Sequence, residues 1–342
     1  MRKFLCFISV VFILLLLAVG FNYTRDPLRF FHSANDVFKS HAHDRYSVVG
    51  KLRSSYYSNL VIGSSHSLHF TDEILGLVSQ GKWLNAAVAG STAYEQYLSF
   101  SLAKKRKEIK TVIWEIRLDA YIGDTKRTRL GSAFPISFYQ DTLQGDAEYL
   151  LSLDTFLDSL FKMKRPMQAK NKHAYGKDVV ANALKKYCDH PPENGHRFGI
   201  QDDEYSLSGN IETTIEKAVA GAPDTLFKIF FPPYSILNHA YLKQHDVDEY
   251  QEYLKFRNLV VGRLSLYPNV HIYDFQTNEK IITDMEHYRD LRHYDVNVYK
   301  EISKKISLPP QGVFINESDF IKKIDRMIEQ FDYTNYKNCL IS

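Results

Sequence analysis

Residues 59–70 read NLVIGSSHSLHF. Four strand-forming residues run into Gly63, and three serines and two histidines follow before the next phenylalanine. A short apolar run closed by a glycine predicts a strand buried on both faces. Hydroxyls just beyond it sit where the backbone N–H groups of the next segment point outward and can stabilise an anion. Small residues after a strand also serve simply to allow a tight turn, and the motif alone does not separate the two readings. The rest of the chain must supply further strands of this kind and a base for the hydroxyl.

Further strands are there. WLNAAV (83–88), TVIWEI (111–116), TLFKIFF (225–231, ended by Pro232 and Pro233) and NVHIYDF (269–275) are β-branched or aromatic runs with turn residues at their ends. Between and after them, residues 92–106, 211–220, 240–266, 295–306 and 317–331 carry apolar positions at helical spacing. Strands that read as continuous apolar runs and alternate with helices imply an α/β fold built on a doubly wound parallel sheet. Sites in that class lie at the carboxyl ends of the strands. Residues 121–210, with the loop-like stretch CDHPPENGHRFG, form a long insertion that reads as a lid or a substrate-facing subdomain.

The N-terminus carries a different signal. Arg2 and Lys3 precede an unbroken apolar stretch from Phe4 to Phe21, long enough to cross a bilayer as a helix. The basic pair favours a cytoplasmic N-terminus, which would place everything after Asn22 outside. Residues 1–21 therefore read as a transmembrane anchor. A cleaved signal peptide competes, because Ala18-Val19-Gly20 resembles a cleavage site, but the run is longer than a usual signal core. Residues 22–58 read as a polar connector with one amphipathic stretch, and residues 59–342 as the main domain.

Composition narrows the partners. Lys+Arg 43 against Asp+Glu 40 gives a net charge of +3, too even a balance to make nucleic acid an expected partner. Tyr 23 and Phe 22 supply rings that cover surface or, in a cleft, stack on sugars. Cys6 lies in the apolar segment; Cys188 and Cys339 can pair or remain free thiols, and no Cys/His spacing points to zinc. The run HAHDRY offers His41, His43 and Asp44 to a metal without a further ligand at fixed spacing, so neither metal nor other cofactor is expected.

Two segments bear on the serines. NAAVAGSTAYEQ (85–96) brings Gly90 and Ser91 just before a helix, with a backbone N–H able to face the same cleft. DMEHYRDLRHYDVNVY (284–299) places Asp290 three residues before His293, a spacing that lets a carboxylate hold an imidazole and fix its tautomer. The competing reading of that segment is a capped start to the helix over 295–306.

The order of these pieces, over residues 59–307, resembles the SGNH (GDSL-like) hydrolase superfamily. That resemblance implies a flavodoxin-like three-layer sandwich with Ser65 as nucleophile, Ser64 in the position of the usual Asp, Gly90 in the second block, and Asp290 and His293 in the last. The third block departs from the pattern: IWEIRLDAY (113–121) lacks the Gly-x-Asn-Asp that supplies a side-chain oxyanion donor. Losing one such donor typically costs about 2.7–4 kcal/mol of transition-state stabilisation. Backbone N–H groups at Ser65 and Gly90 would then meet the oxyanion, with help from Arg117 or the insertion.

Membrane-anchored, outward-facing members of the superfamily are the nearer likeness. They imply a bacterial cell-envelope esterase or acyltransferase facing the periplasm or the cell surface, an envelope polysaccharide as partner, and a membrane protein that supplies acyl groups. In FFPPYS (230–235), Tyr234 and Ser235 would lie near the cleft, unless the prolines merely end the strand. His66 would touch donor or polymer, His69 would be structural, and Tyr294 would pack beside His293. The rival readings are a binding module that kept the fold without turnover, and a metal-dependent phosphoesterase using His41, His43 and Asp44.

Overall fold

The computed structural model describes residues 1–33, 44–161, 173–190, 204–310, 316–336 and 340. Five strands, β1 (Asn59–Ile62), β2 (Trp83–Asn85), β3 (Thr111–Glu115), β4 (Leu226–Phe231) and β5 (Val270–Asp274), form one sheet in the order β2-β1-β3-β4-β5. Every pairing is parallel, and helices flank the sheet, so the expected doubly wound α/β class is the one observed. The central strands are the ones that read most plainly as apolar runs. All of β1, Val112–Glu115 of β3 and Phe227–Phe231 of β4 are buried, whereas β2 and most of β5, at the edges, are half-buried.

Two elements end earlier than their apolar patterns suggest. β2 stops at Asn85 because that side chain folds back: its Oδ1 accepts the Ala87 N–H (3.0 Å) and its Nδ2 donates to the carbonyls of Ser67 (2.7 Å) and Phe70 (3.1 Å). The helical pattern over 240–266 is two helices, Ile236–His245 and Val247–Leu264. Asp246 separates them, its carboxylate accepting the Glu249 N–H at 3.1 Å as an N-cap.

The chain divides into two compact units. The first comprises residues 1–57, 98–108 and 130–170. It holds the N-terminal helix Arg2–Arg25, long and apolar enough by length and composition to cross a membrane or serve as a signal sequence. The segment read as a connector contributes the helix Asp44–Ser54 to this unit, with Val48, Val49 and Leu52 buried. Asp26 organises the turn that follows the first helix by accepting the N–H groups of Phe30 (2.7 Å), Phe31 (2.8 Å) and His32 (2.8 Å) and the Tyr149 hydroxyl (2.8 Å).

The second unit, residues 58–97, 109–129 and 171–342, holds the sheet. Its chain steps from β1 outward to β2 and then returns to the other side of β1 as β3. The connections leaving the carboxyl ends of β1 and β3 therefore diverge, opening the crevice in which this class places its sites. Cys188, in the helix Lys177–Asp189, is disulfide-bonded; Cys339, His41 and His43 lie outside the described residues.

Candidate active site

β1 delivers the chain into the crevice at Gly63. A Cβ there would come within 2.5 Å of the Ser67 hydroxyl and 2.7 Å of Glu115 Oε2, so only glycine lets the backbone pass this close. Ser64 then caps a single 3-10 turn, Ser65–Ser67. The turn is pinned by Glu115, the last residue of the neighbouring β3 and fully buried. Glu115 Oε2 accepts the Ser64 N–H (3.0 Å), and the hydroxyls of Ser64 and Ser67 both donate to the same carboxylate.

Burial of Glu115 would raise its pKa, but hydrogen bonding to His66 and the charge of Arg117 hold the carboxylate below the usual range. Arg117 Nε lies 3.0 Å from Glu115 and its Nη1 lies 2.9 Å from Asp119, so this buried guanidinium is spoken for by two carboxylates. Glu115 is the residue the sequence reading missed. Its signal was an acid inside the apolar run TVIWEI, with Arg117 two positions on: charged side chains are seldom fully buried unless paired, and positions i and i+2 of an extended chain share a face.

Ser65 is half-buried at the first position of the turn. Its Oγ lies 2.9 Å from His293 Nε2, across 228 residues of sequence. His293 Nδ1 lies 2.8 Å from Asp290 Oδ2. These three residues therefore stand in line, hydroxyl to imidazole to carboxylate, with both contacts inside hydrogen-bond reach. Burial would raise the Asp290 carboxyl, yet its hydrogen bonds with His293 and with the N–H groups of Arg292 and His293 hold it well below the ordinary carboxylate range. An ionised Asp290 makes Nδ1 the protonated nitrogen and leaves Nε2 free to accept the Ser65 proton.

The loop that carries the pair is closed by an antiparallel bridge between Tyr288 and Tyr294. Within it, Asp290 Oδ1 accepts the N–H groups of Arg292 and His293, each at 2.8 Å. FFPPYS does more than end β4. The N–H and hydroxyl of Ser235 both donate to the Leu291 carbonyl (3.0 and 2.8 Å), and the Tyr288 hydroxyl donates to the Pro233 carbonyl (3.0 Å). Arg292 reaches Asn238 and Glu249, each at 2.8 Å. The cap of the following helix Val296–Ser307 is Asp295, which leaves Asp290 to the imidazole.

His66 is buried and lies flat on His293, with ring centroids 4.4 Å apart and planes 7° apart. Burial, and then the neighbouring His293, lower its pKa to about 4 against the opposing pull of Glu115, so it is a neutral ring at pH 7. The Tyr294 hydroxyl donates to the His66 carbonyl (3.0 Å), so Tyr294 packs beside the pair. His69 stands edge-on to Tyr299. Tyr234 is buried 5.6 Å from the His66 ring and lines a small cavity with Asp119, Asn238 and Arg292.

Gly90 sits on the loop after β2 in the left-handed conformation, φ 62°. That loop is tied to the strand that leads into the Ser65 turn through the Gly63 carbonyl, which accepts the Val88 N–H (3.0 Å) and the Ser91 hydroxyl (2.9 Å). Gln96 Nε2 donates to Ser91 Oγ (3.0 Å) while its Oε1 accepts from Trp114 (2.8 Å), extending the tie to β3. Among the described residues no cluster of three or more His, Cys, Asp or Glu side chains could hold a metal.

No protein-family model matches the chain, and no curated protein does. Among solved structures, a chain from Streptococcus pneumonia, provisionally designated a platelet activating factor, is similar at 11% identity and a TM-score of 0.40, over 78% of this chain and 89% of that one. The functional reading stands on the geometry of the site.

Proposed function

We propose that the chain is a membrane-anchored serine esterase or acyltransferase that moves small acyl groups on or off a cell-envelope polysaccharide. The observation that carries the reading is the aligned set Ser65, His293 and Asp290, whose members are brought together from two distant segments at 2.9 and 2.8 Å. Nothing in packing alone requires a half-buried serine, an imidazole and an ionised carboxylate to line up at the switch point of a sheet.

In the first half-reaction His293 Nε2 takes the Ser65 hydroxyl proton as Oγ bonds to the ester carbonyl carbon. The carbonyl becomes a tetrahedral oxyanion. By its position at the start of a 3-10 turn the Ser65 N–H has no partner within the turn, which suits it as an oxyanion donor, and Gly90 is the second donor in this reading. The bond to the leaving oxygen then breaks as His293 returns its proton to that oxygen, leaving an acyl-Ser65 ester. Water, in an esterase, or a sugar hydroxyl, in a transferase, gives up a proton to His293 and attacks the acyl carbon, and collapse restores Ser65. His66, neutral and stacked on His293, adds no competing positive charge when the imidazolium forms.

The anchor is the N-terminal helix, with the remainder of the chain outside the cytoplasm. A disulfide at Cys188 accords with an oxidising compartment.

The test is covalent labelling. Full-length protein treated with a fluorophosphonate should gain one adduct mass, mapped to Ser65, and Ser65→Ala should gain none. Hydrolysis of an activated acetate ester should survive a chelator and vanish in Ser65→Ala. An unlabelled wild type from mild acid to alkaline pH would instead make the fold a binding module, the reading favoured by the absent Asn of the third block. Loss of activity with chelator would return the metal reading.

A further inference from the structure

The helix Leu153–Phe161, in the first unit, is amphipathic the wrong way round for a protein in water. Its inward face is Thr155 and Ser159, 6% and 4% exposed, and its outward face is Leu153, Leu157 and Leu160, 68%, 39% and 44% exposed. The leucines fall at i, i+4 and i+7 and so form one ridge. Leu151, just before the helix, is also exposed. A helix that buries small hydroxyl residues and presents leucines follows the packing rule of lipid rather than of water.

Its place relative to the N-terminal helix supplies the occupant. That helix leaves residues 2–17 wholly exposed and buries only Asn22. The Asn22 side chain donates to the Leu150 carbonyl (2.8 Å), and the Phe21 ring meets Phe156 at 5.3 Å. The apolar run from Phe4 to Phe21 spans about 27 Å at the helical rise, close to the roughly 30 Å of a bilayer core. Phe21 and Asn22 therefore mark the level at which the chain leaves hydrocarbon, and the leucine helix is packed at that level.

We infer that Leu153–Phe161 lies on the outer face of the lipid bilayer with its leucine ridge immersed, fixing the first unit against the membrane surface. The inference rests on reading the N-terminal helix as an uncleaved anchor. Attachment is apolar: the ridge carries no basic residue, and the exposed Asp154 beside it turns to water.

The experiment uses the full chain in phosphatidylcholine nanodiscs, with Cys6→Ser to remove the free thiol and single spin labels at Leu157→Cys, Leu160→Cys, Asp154→Cys and Leu14→Cys. Accessibility to oxygen is compared with accessibility to a water-soluble nickel chelate. Labels at 157 and 160 should favour oxygen several-fold over nickel, as at 14, at an immersion of about 5–10 Å, with the label at 154 favouring nickel. Nickel-accessible labels at 157 and 160 beside an oxygen-favouring label at 14 would overturn the inference while leaving the anchor standing. Shielding of 157 from both reagents would mean that protein, not lipid, covers the ridge. A nickel-accessible label at 14, or a mature chain lacking the helix by mass, would remove the anchor itself.

Discussion

One carboxylate, Asp290, does two things: it shapes the turn through two backbone N–H groups and it orients the His293 ring. Asp290→Asn keeps a carbonyl oxygen for the backbone but turns an amide toward Nδ1, favouring the wrong tautomer. Turnover of an activated acetate ester should fall roughly 10³–10⁴-fold with the fold intact by circular dichroism; activity within tenfold of wild type would remove Asp290 from the relay. In the proposed relay His66 stands one step further out, stacked under His293, where it would act as a positioning residue. His66→Ala should lower kcat about 10- to 100-fold, the scale of a displaced catalytic group, with KM little changed. His66→Phe, which keeps a flat ring, should recover most of it, and equal losses in both variants would mean that the stack does not position His293. That Ser65, Asp290 and His293 come together was legible because each sits in a short motif with its own spacing. The stacking of His66 on His293 was not, since which ring lies over which is decided by a contact between residues 227 positions apart.

The elements divide along the same line. β1, β3 and β4 read plainly because both faces are buried; the one charge inside β4, Lys228, is accommodated because its Nζ donates to the Ile306 carbonyl (2.5 Å). β2 was read too long because its pattern stays apolar past Asn85, where a side-chain hydrogen bond, invisible to periodicity, turns the chain away. Glu115 went unrecognised for a related reason: from sequence it is one more residue of the strand TVIWEI, whereas in the fold its carboxylate ties β3 to the turn after β1 by holding Ser64 and Ser67. Glu115→Gln halves the acceptors that turn relies on and strips Arg117 of one of its two counter-charges. Breaking a buried pair typically costs about 3–5 kcal/mol, and because Asp119 remains on Arg117 the lower end, about 3 kcal/mol, is expected. Chemical denaturation measures it, and a cost below about 1 kcal/mol would mean that the serine turn stands without the carboxylate. Ser235→Ala, which removes the hydroxyl's bond to the Leu291 carbonyl, leaving the backbone N–H bond in place, and removes the side-chain cap of the helix Ile236–His245, should cost about 1–2 kcal/mol and lower kcat more than it raises KM.

At the scale of the molecule, the buried histidines set how the second unit responds to acid. His66 is lowered to about 4 and His239 to about 3, in both cases chiefly by burial. The unfolded chain, with histidines near 6.5, therefore binds protons that the native state refuses as pH falls from about 6.5 toward 4, and stability falls with it, by up to about 1.4 kcal/mol per pH unit for each histidine. Asp290 works in a separate window: its folded pKa is depressed, so its contribution is present above the ordinary carboxylate value and is lost only below about pH 4. Acid loss between pH 7 and 5 thus belongs to the histidines. Trp83 and Trp114, the chain's two tryptophans, lie in β2 and β3, so intrinsic fluorescence follows the unit that holds the site. His239 stands among Tyr253 and Phe320, and His239→Phe replaces a ring that would have to charge with one that cannot. From pH 7 to 5 the variant should lose about 2 kcal/mol less stability than wild type by denaturant titration. Identical losses would mean that His239 accepts its proton within the fold, and the acid sensitivity of this unit would then fall to His66, beneath the His293 ring, and to His271, which burial also lowers.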